Sequence, residues 1–159
     1  MELYFWEEDL NTDILKGRIE NWEYPKDGQI VNCIDIGYSK NLRKDWQRLV
    51  CCKELIHILD PIDCRVMTEE EFDRLCEKIV LPLDLQEPLD GKPVWTDRLA
   101  VYQALAILFP WASRQLLLQP FKLEKISLEE IAASTDLPIR YVSLVMSSVW
   151  EVVHRSLAD

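Results

Sequence analysis

The segment 46–59 constrains the fold more than any other part of the chain, because its apolar residues recur at the spacing of a helix. The pattern predicts a largely buried helix that ends before Pro61, since proline disfavours helical geometry in the residue that precedes it. The apolar stripe consists of Leu49, Val50, Cys52, Leu55, Ile56 and Leu59. Lys53, Glu54 and His57 fall beside this stripe, so we expect their side chains at the boundary between the core and a cleft.

These three residues form the pattern K-E-x-x-H, which differs at one position from the H-E-x-x-H pattern of zinc metallopeptidases. In the intact pattern, two histidines on one helix face bind Zn²⁺ and the glutamate polarises the metal-bound water. The lysine brings a protonated ammonium, which would need strong desolvation to become a neutral ligand. The segment therefore indicates the scaffold of a zincin and argues against its usual chemistry. The alternative is that Lys53 is a solvated lysine and His57 an ordinary core histidine.

Composition and charge exclude several classes of function. The 159 residues carry 18 basic and 28 acidic side chains, a formal net charge of -10, which repels a phosphate backbone, so no nucleic-acid partner is expected. A hydrophobic fraction of 48% and a mean hydropathy of -0.10 are typical of an ordinary globular domain. No apolar run approaches the roughly 18 residues that span a bilayer, and residues 1–9 lack the basic start of a secretory signal. We therefore expect a cytoplasmic protein that makes no membrane contact.

The five cysteines lack C-x-x-C spacing, so we expect reduced thiols in the core and neither a disulfide framework nor a thiolate zinc site. They are Cys33, Cys51, Cys52, Cys64 and Cys76.

The N-terminal part gives few clear signals. Residues 1–24 resist assignment, although we expect their aromatic side chains to cover one side of the core. These aromatic residues are Tyr4, Phe5, Trp6, Trp22 and Tyr24. A turn is predicted at 25–28, and a run of apolar, β-branched residues predicts a strand from Gln29 to Ile36, ended by Gly37.

Capping signals mark the next helices. Thr68 and Glu71 form a capping box, which predicts a helix to Lys78 or Ile79. The prolines between residues 82 and 93 predict an irregular loop that serves as a lid or insertion. Thr96 is the predicted cap of a central buried helix over 97–109, which is apolar on nearly every side.

The chain from 126 to 157 predicts a helical tail. Ser127 caps a first helix, residues 135–138 make a turn, and one long helix follows. Its apolar face is Val142, Val145, Met146, Val149, Val152 and Val153. The spacing of Ala132, Leu137 and Val142 is typical of a helix-turn-helix, but the second helix offers only Arg140 to DNA. We therefore expect the tail to pack on the main domain or to form a homodimer through the C-terminal helix.

Taken in order, these segments resemble the ImmA/IrrE family of zincin-like metallopeptidases, found in bacteria and their mobile elements, whose members cleave or regulate transcriptional repressors. The strand at 30–36, the arginine-containing stretch 43–48 and the K-E-x-x-H helix follow the family order. Asp97-Arg98-Leu99-Ala100 and the following apolar residues to Pro110 match the helix that begins with an acidic third ligand, although Gln103 replaces a phenylalanine. The resemblance covers roughly residues 29 to 146.

The resemblance implies an α+β fold: a mostly helical, degenerate zincin-like domain over 1–123 with a small β-sheet, and a helix-turn-helix-like tail over 124–159. It places Lys53 at the first ligand position, Glu54 at the general base, His57 at the second ligand and Asp97 at the third, where the usual glutamate is one methylene longer. Two remaining ligands rarely hold zinc, so we expect no metal and no cofactor.

One physical interpretation accounts for this set of residues. If Lys53 points into the pocket of His57 and Asp97, its ammonium replaces the lost metal charge and neutralises two carboxylates. We therefore predict a metal-free, catalytically silent protein of bacterial or phage origin that acts by binding another protein. An active peptidase with Glu54 as base and His57 and Asp97 as ligands is the alternative, and a DNA-binding regulator ranks third.

Overall fold

A computed structural model describes residues 1–61, 64–66, 68–79 and 92–158. It confirms an α+β fold that combines a small three-stranded sheet with, among the described residues, seven α-helices. The predicted lid at 82–93 lies almost wholly outside the described residues. None of the described helices is long and apolar enough to cross a membrane.

The sheet is built from the first 39 residues. Strand β1 (Glu2–Glu8) pairs in parallel with β3 (Gln29–Ser39), and β2 (Gly17–Lys26) pairs with β3 on its other side in antiparallel register. The strand predicted for 29–36 is therefore confirmed and extends to Ser39. Asp27 and Gly28 form the hairpin turn, both with positive φ (51° and 76°), as a two-residue turn of the primed type requires.

The aromatic residues of β1 and β2 do not cover the core, as the sequence suggested. Tyr4, Phe5, Trp6 and Trp22 are between 36% and 53% exposed. The expectation was wrong because α1 packs on one face of the sheet, whereas Tyr4, Trp6 and Trp22 lie on the other face.

Helix α1 (Lys44–Ile56) packs on β2 and β3 and continues as one 3-10 turn over His57–Leu59. The predicted helix is thus confirmed to its end before Pro61. Its apolar stripe is shorter than predicted, because Leu59 is 83% exposed on the final turn. Gly17 permits the close approach of β2, since a Cβ there would collide with the Val50 side chain.

Helices α2 and α3 are the next two after α1. The capping box predicted at Thr68 is present: the Glu71 amide donates to the Thr68 hydroxyl at 3.2 Å, and α2 spans Glu69–Ile79. Helix α3 (Lys92–Leu108) begins before the predicted cap at Thr96 and is not buried on every side, because Tyr102 and Ile107 face solvent. Its inner face contributes Ala100, Ala104 and Leu105 to the core.

The remaining helices form the C-terminal part: α4 (Trp111–Lys122), α5 (Leu128–Thr135), α6 (Ile139–Met146) and α7 (Val149–Ala158). The predicted cap at Ser127 is confirmed, and Glu130 completes it as a capping box. One hydrophobic core joins α1 and α3 to the tail: Leu49, Ala104, Leu105, Phe109, Ile131, Leu137, Val142, Val145, Met146 and Trp150.

The single long helix predicted for the tail is wrong, because the chain leaves helical geometry at Ser147 (ψ 165°) between α6 and α7. The buried Arg114 of α4 holds this break, since its guanidinium donates to the carbonyls of Val145 at 2.7 Å and Ser147 at 3.0 Å. The break directs Trp150 into the core and leaves Val149 exposed. Val152, also predicted on the apolar face, is exposed too.

Candidate functional site

Four side chains singled out from the sequence lie together where α1 meets α3. Lys53 donates from Nζ to Glu54 Oε1 at 3.0 Å and makes a second ion pair with Asp97 Oδ1. The Nε2 atom of His57 lies 3.5 Å from the same Asp97 oxygen. The ammonium of Lys53 is thus in contact with two carboxylates, one from its own helix and one from α3.

Asp60 is a fifth member of the site, and the sequence reasoning missed it. Its Oδ2 lies 2.6 Å from His57 Nδ1, so the ring is held on both sides by carboxylates. Arg65 fixes the backbone here, donating to the carbonyls of Ile58 and Asp60, each at 2.9 Å. The available signal was the spacing of Asp60 three residues after His57, just before the proline that ends the helix.

The site is largely withdrawn from water. The exposed fractions are 16% for the Lys53 side chain, 4% for Glu54, 13% for His57 and 18% for Asp97. Buried charges of this kind are costly unless paired, so the contacts between them determine whether the site is stable.

The mutual contacts shift the pKa values of Lys53, Asp97 and His57. Burial lowers the pKa of Lys53, but the charges of Glu54 and Asp97 outweigh it and raise the pKa well above its ordinary value. For Asp97, burial raises the pKa, while the hydrogen bond from His57 and the Lys53 ammonium lower it below 3.8 overall. Burial likewise opposes the charged form of His57, yet the carboxylates of Asp97, Glu54 and Asp60 raise its pKa above 6.5. Lys53 is therefore a cation and Asp97 an anion at neutral pH.

These residues do not fit a zinc ion. His57 and Asp97 are two donors, and the neighbouring position on the helix carries a protonated ammonium that cannot ligate a metal. Within the described parts of the chain, no group of three or more His, Cys, Asp or Glu side chains has the arrangement of a metal site. The chemistry that the site supports is charge pairing and hydrogen bonding.

A cleft of about 630 Å³ opens beside these residues, bounded by β2, α1, α2 and α3. Lys53, Glu54, His57 and Asp97 all lie on its wall. Its other lining includes Ile19, Asn21 and Glu23 of β2, Phe72 and Leu75 of α2, and Pro93 of α3. The cleft thus joins an apolar surface to a few buried polar groups, as binding sites commonly do.

The edge of β2 that borders the cleft has backbone groups directed outward. In a two-residue hairpin the closing pair, here Lys26 and Gln29, exchanges hydrogen bonds, and the pairs along the ladder alternate. Ile19, Asn21 and Glu23 therefore turn their N–H and C=O groups away from β3. All three line the cleft, as do Gly17, Arg18 and Trp22 of the same strand.

The chain matches no family model, no curated protein and no solved structure. The resemblance to the ImmA/IrrE family therefore remains a prediction carried by the residues quoted for it.

Proposed function

We propose that this chain is a catalytically silent, metal-free zincin-like protein that binds an extended segment of another protein in the cleft beside Lys53. The observation that carries the proposal is the position of the Lys53 ammonium, which pairs with Glu54 and Asp97 in the same pocket as His57. The proposal keeps the cytoplasmic location and the bacterial or phage setting expected from the sequence.

The first support is electrostatic. A peptidase would need Glu54 free to accept a proton from water, but here the Glu54 carboxylate is 4% exposed and accepts from Lys53. The Glu54 carboxylate is thus engaged by the buried ammonium and largely closed to water. The site is therefore arranged to maintain a fixed charge balance.

The second support is the shape of the cleft. An extended chain can add a strand to an exposed sheet edge, gaining affinity from main-chain hydrogen bonds and specificity from side-chain pockets. The outward groups at Ile19, Asn21 and Glu23 supply the hydrogen bonds, and Phe72 and Leu75 supply apolar contacts. The cleft is thus suited to binding a protein segment without cutting it.

An active zinc peptidase is the second candidate, and one observation favours it. His57 has its Nδ1 atom hydrogen-bonded to Asp60, which leaves Nε2 facing the pocket. Metal-binding histidines are commonly oriented by a carboxylate in this way. Under this alternative, Glu54 is the general base and His57 and Asp97 are the ligands.

A peptide selection tests the proposal directly. Random dodecapeptides displayed on phage are selected against the immobilised chain, and the enriched peptide is synthesised and titrated by fluorescence anisotropy. Asn21→Pro should weaken binding by about tenfold, because it removes an outward N–H without breaking the ladder to β3. Asn21→Ala is the matched control, since it keeps the N–H, and should bind like the parent.

Mass spectrometry of the same peptide separates the two candidates. After incubation with the chain and added Zn²⁺, the peptide should remain intact. Cleavage that disappears in Glu54→Gln would favour the peptidase, and equal affinity for the parent and Asn21→Pro would exclude pairing with the β2 edge.

A further inference from the structure

The face of the sheet turned away from α1 carries two pairs of aromatic side chains. Alternation along β2 places Gly17, which approaches α1, on one face and the even-numbered residues on the other. Tyr4 and Trp6 of β1 stack with ring centroids 6.3 Å apart, and Trp22 and Tyr24 of β2 lie 5.5 Å apart. We call this surface the aromatic face.

Asp35 and Gly37 of β3 form a floor beside the pair of Tyr4 and Trp6. In the sheet register, Asp35 lies between Tyr4 and Glu20, and Gly37 lies between Trp6 and Arg18. The carboxylate of Glu8 reaches over Gly37, where an added Cβ would lie 2.6 Å from Glu8 Cδ. The aromatic face is therefore a trough, with a pocket of about 250 Å³ lined by Trp6, Glu8, Arg18, Glu20, Asp35 and Gly37.

The trough is acidic as well as aromatic. Four carboxylates (Glu2, Glu8, Glu20 and Asp35) stand against two cations (Arg18 and Lys26), which gives the face a charge of -2. Arg18 is already paired with Glu8 at 2.9 Å and also contacts Glu20, while Lys26 pairs with Glu2 at 3.2 Å. Asp35 Oδ1 is buried without a hydrogen-bond partner among the described residues. The floor of the trough therefore contains negative charge that the two cations do not balance.

We propose that the aromatic face binds an arginine-bearing segment of a partner protein. A guanidinium is attracted both to the face of a tryptophan ring and to carboxylates, and the trough supplies Trp6 beside Glu8, Glu20 and Asp35. Exposed tryptophan and tyrosine are also the residues that most often dominate protein interfaces. This inference rests on the proposed role in protein binding, but Trp6, Glu8 and Asp35 of its pocket do not line the cleft.

Charge complementarity favours this occupant over two others. A second copy of the chain would bring an equally acidic face against the first, within a protein of net charge -10. RNA bases stack on sheet aromatics, but the phosphates that accompany them would be repelled by the same carboxylates. A cationic segment can contact the aromatic rings and pair with the carboxylates at the same time.

A fluorescein-labelled decapeptide of alternating arginine and serine is the probe, titrated into the full chain at low and high salt. The matched control peptide has citrulline at each arginine, which keeps the shape and removes the charge. We expect binding of the arginine peptide that weakens as salt rises, and no binding of the citrulline peptide.

Variants locate the binding. Trp6→Ala should weaken binding of the arginine peptide at least about fivefold, because it removes the aromatic ring that lines the pocket. Trp95→Ala on α3, where the side chain is 66% exposed, and Glu129→Gln on α5 are the controls and should bind like the parent. Asn21→Pro should also bind like the parent, which separates this surface from the cleft.

Three results would overturn the inference. The first is equal affinity of the parent and Trp6→Ala for the arginine peptide. The second is a dimer, seen by analytical ultracentrifugation, that dissociates in Trp6→Ala. The third is tighter binding of an oligouridylate than of the arginine peptide, with loss in Trp6→Ala.

Discussion

The ammonium of Lys53 on α1 contacts the carboxylate of Asp97 on α3, so an ion pair connects these two helices. Lys53 also donates to Glu54, which is the most buried carboxylate of the site. The lysine therefore carries the positive charge that two buried acids require, and its loss should affect the whole arrangement.

Lys53→Met should destabilise the folded chain by about 3 kcal/mol, because breaking a buried ion pair leaves its partners charged and unpaired. Urea unfolding at neutral pH measures the free energy of unfolding. Lys44→Met is the matched control, since Lys44 lies exposed at the start of the same helix and should change stability by less than about 0.5 kcal/mol.

A second substitution tests whether the loss arises from the carboxylates. Adding Asp97→Asn to Lys53→Met should recover part of the stability, because it removes one of the two uncompensated charges. Strictly additive effects of the two changes would contradict the pairing seen between them.

Lys53→His should raise the affinity for Zn²⁺, because it supplies an imidazole one helical turn from His57. Asp97, already 3.5 Å from His57 Nε2, can act as the third donor. Isothermal titration calorimetry compares the variant with the parent and with Lys44→His, which adds an imidazole outside the site. No difference between Lys53→His and Lys44→His would refute the equivalence of Lys53 to a ligand position.

The contribution of His57 to stability should decrease as pH rises. Its pKa in the folded chain is raised above 6.5, mainly by Asp97, Glu54 and Asp60 acting against burial, so the protonated ring stabilises the fold. That stabilisation is fully present below pH 6.5 and is lost as pH rises through the folded pKa. The contribution of Asp97 has the opposite pH dependence. Because its pKa is lowered in the folded chain, the ionised carboxylate stabilises the fold above pH 3.8, and this stabilisation is lost as pH falls through the folded pKa.

Urea unfolding of the parent and His57→Gln checks this sign. The difference in free energy between them should be larger near about pH 5.5 than near about pH 9, a range in which Asp97 stays ionised. Asp60→Asn, which removes one carboxylate from the ring, should reduce the pH dependence. A difference that grows toward alkaline pH would contradict the assignment of a raised pKa.

Trp150→Ala should destabilise the chain by about 3 to 5 kcal/mol, because the fully buried indole fills the contact of α7 with the core. Val149→Asp, one residue earlier on α7, should change stability by less than about 0.5 kcal/mol because Val149 is exposed. Thermal unfolding of both variants provides the comparison. A larger loss of stability in Val149→Asp than in Trp150→Ala would contradict the break between α6 and α7 and support the single long helix predicted from the sequence.

Local patterns in the sequence were enough to predict much of the site. Lys53, Glu54 and His57 share a helix, so helical periodicity alone places them together. Asp97 could be predicted as a site residue only from the resemblance to a family pattern, because its contact with Lys53 depends on how α3 packs on α1. Asp60 was missed because it follows the helix, where no periodicity applies.

The errors in the fold have physical causes of the same kind. Strands β1 and β2 are sheet edges with exposed aromatic residues, so they lack the alternation of polar and apolar residues that identifies a half-buried strand. The break at Ser147 could not be predicted from the local sequence, because the hydrogen bond to the Ser147 carbonyl comes from Arg114, which lies on a different helix. Both features depend on tertiary contacts, which a local pattern does not encode.

The zinc content of protein purified without chelator tests the central claim most directly. If the Lys53 ammonium has replaced the metal, mass spectrometry of the folded chain and elemental analysis should find less than about 0.1 zinc per chain, for the parent and for His57→Ala alike. Near-stoichiometric zinc in the parent that is lost in His57→Ala would contradict the account and establish a metal site at His57 and Asp97.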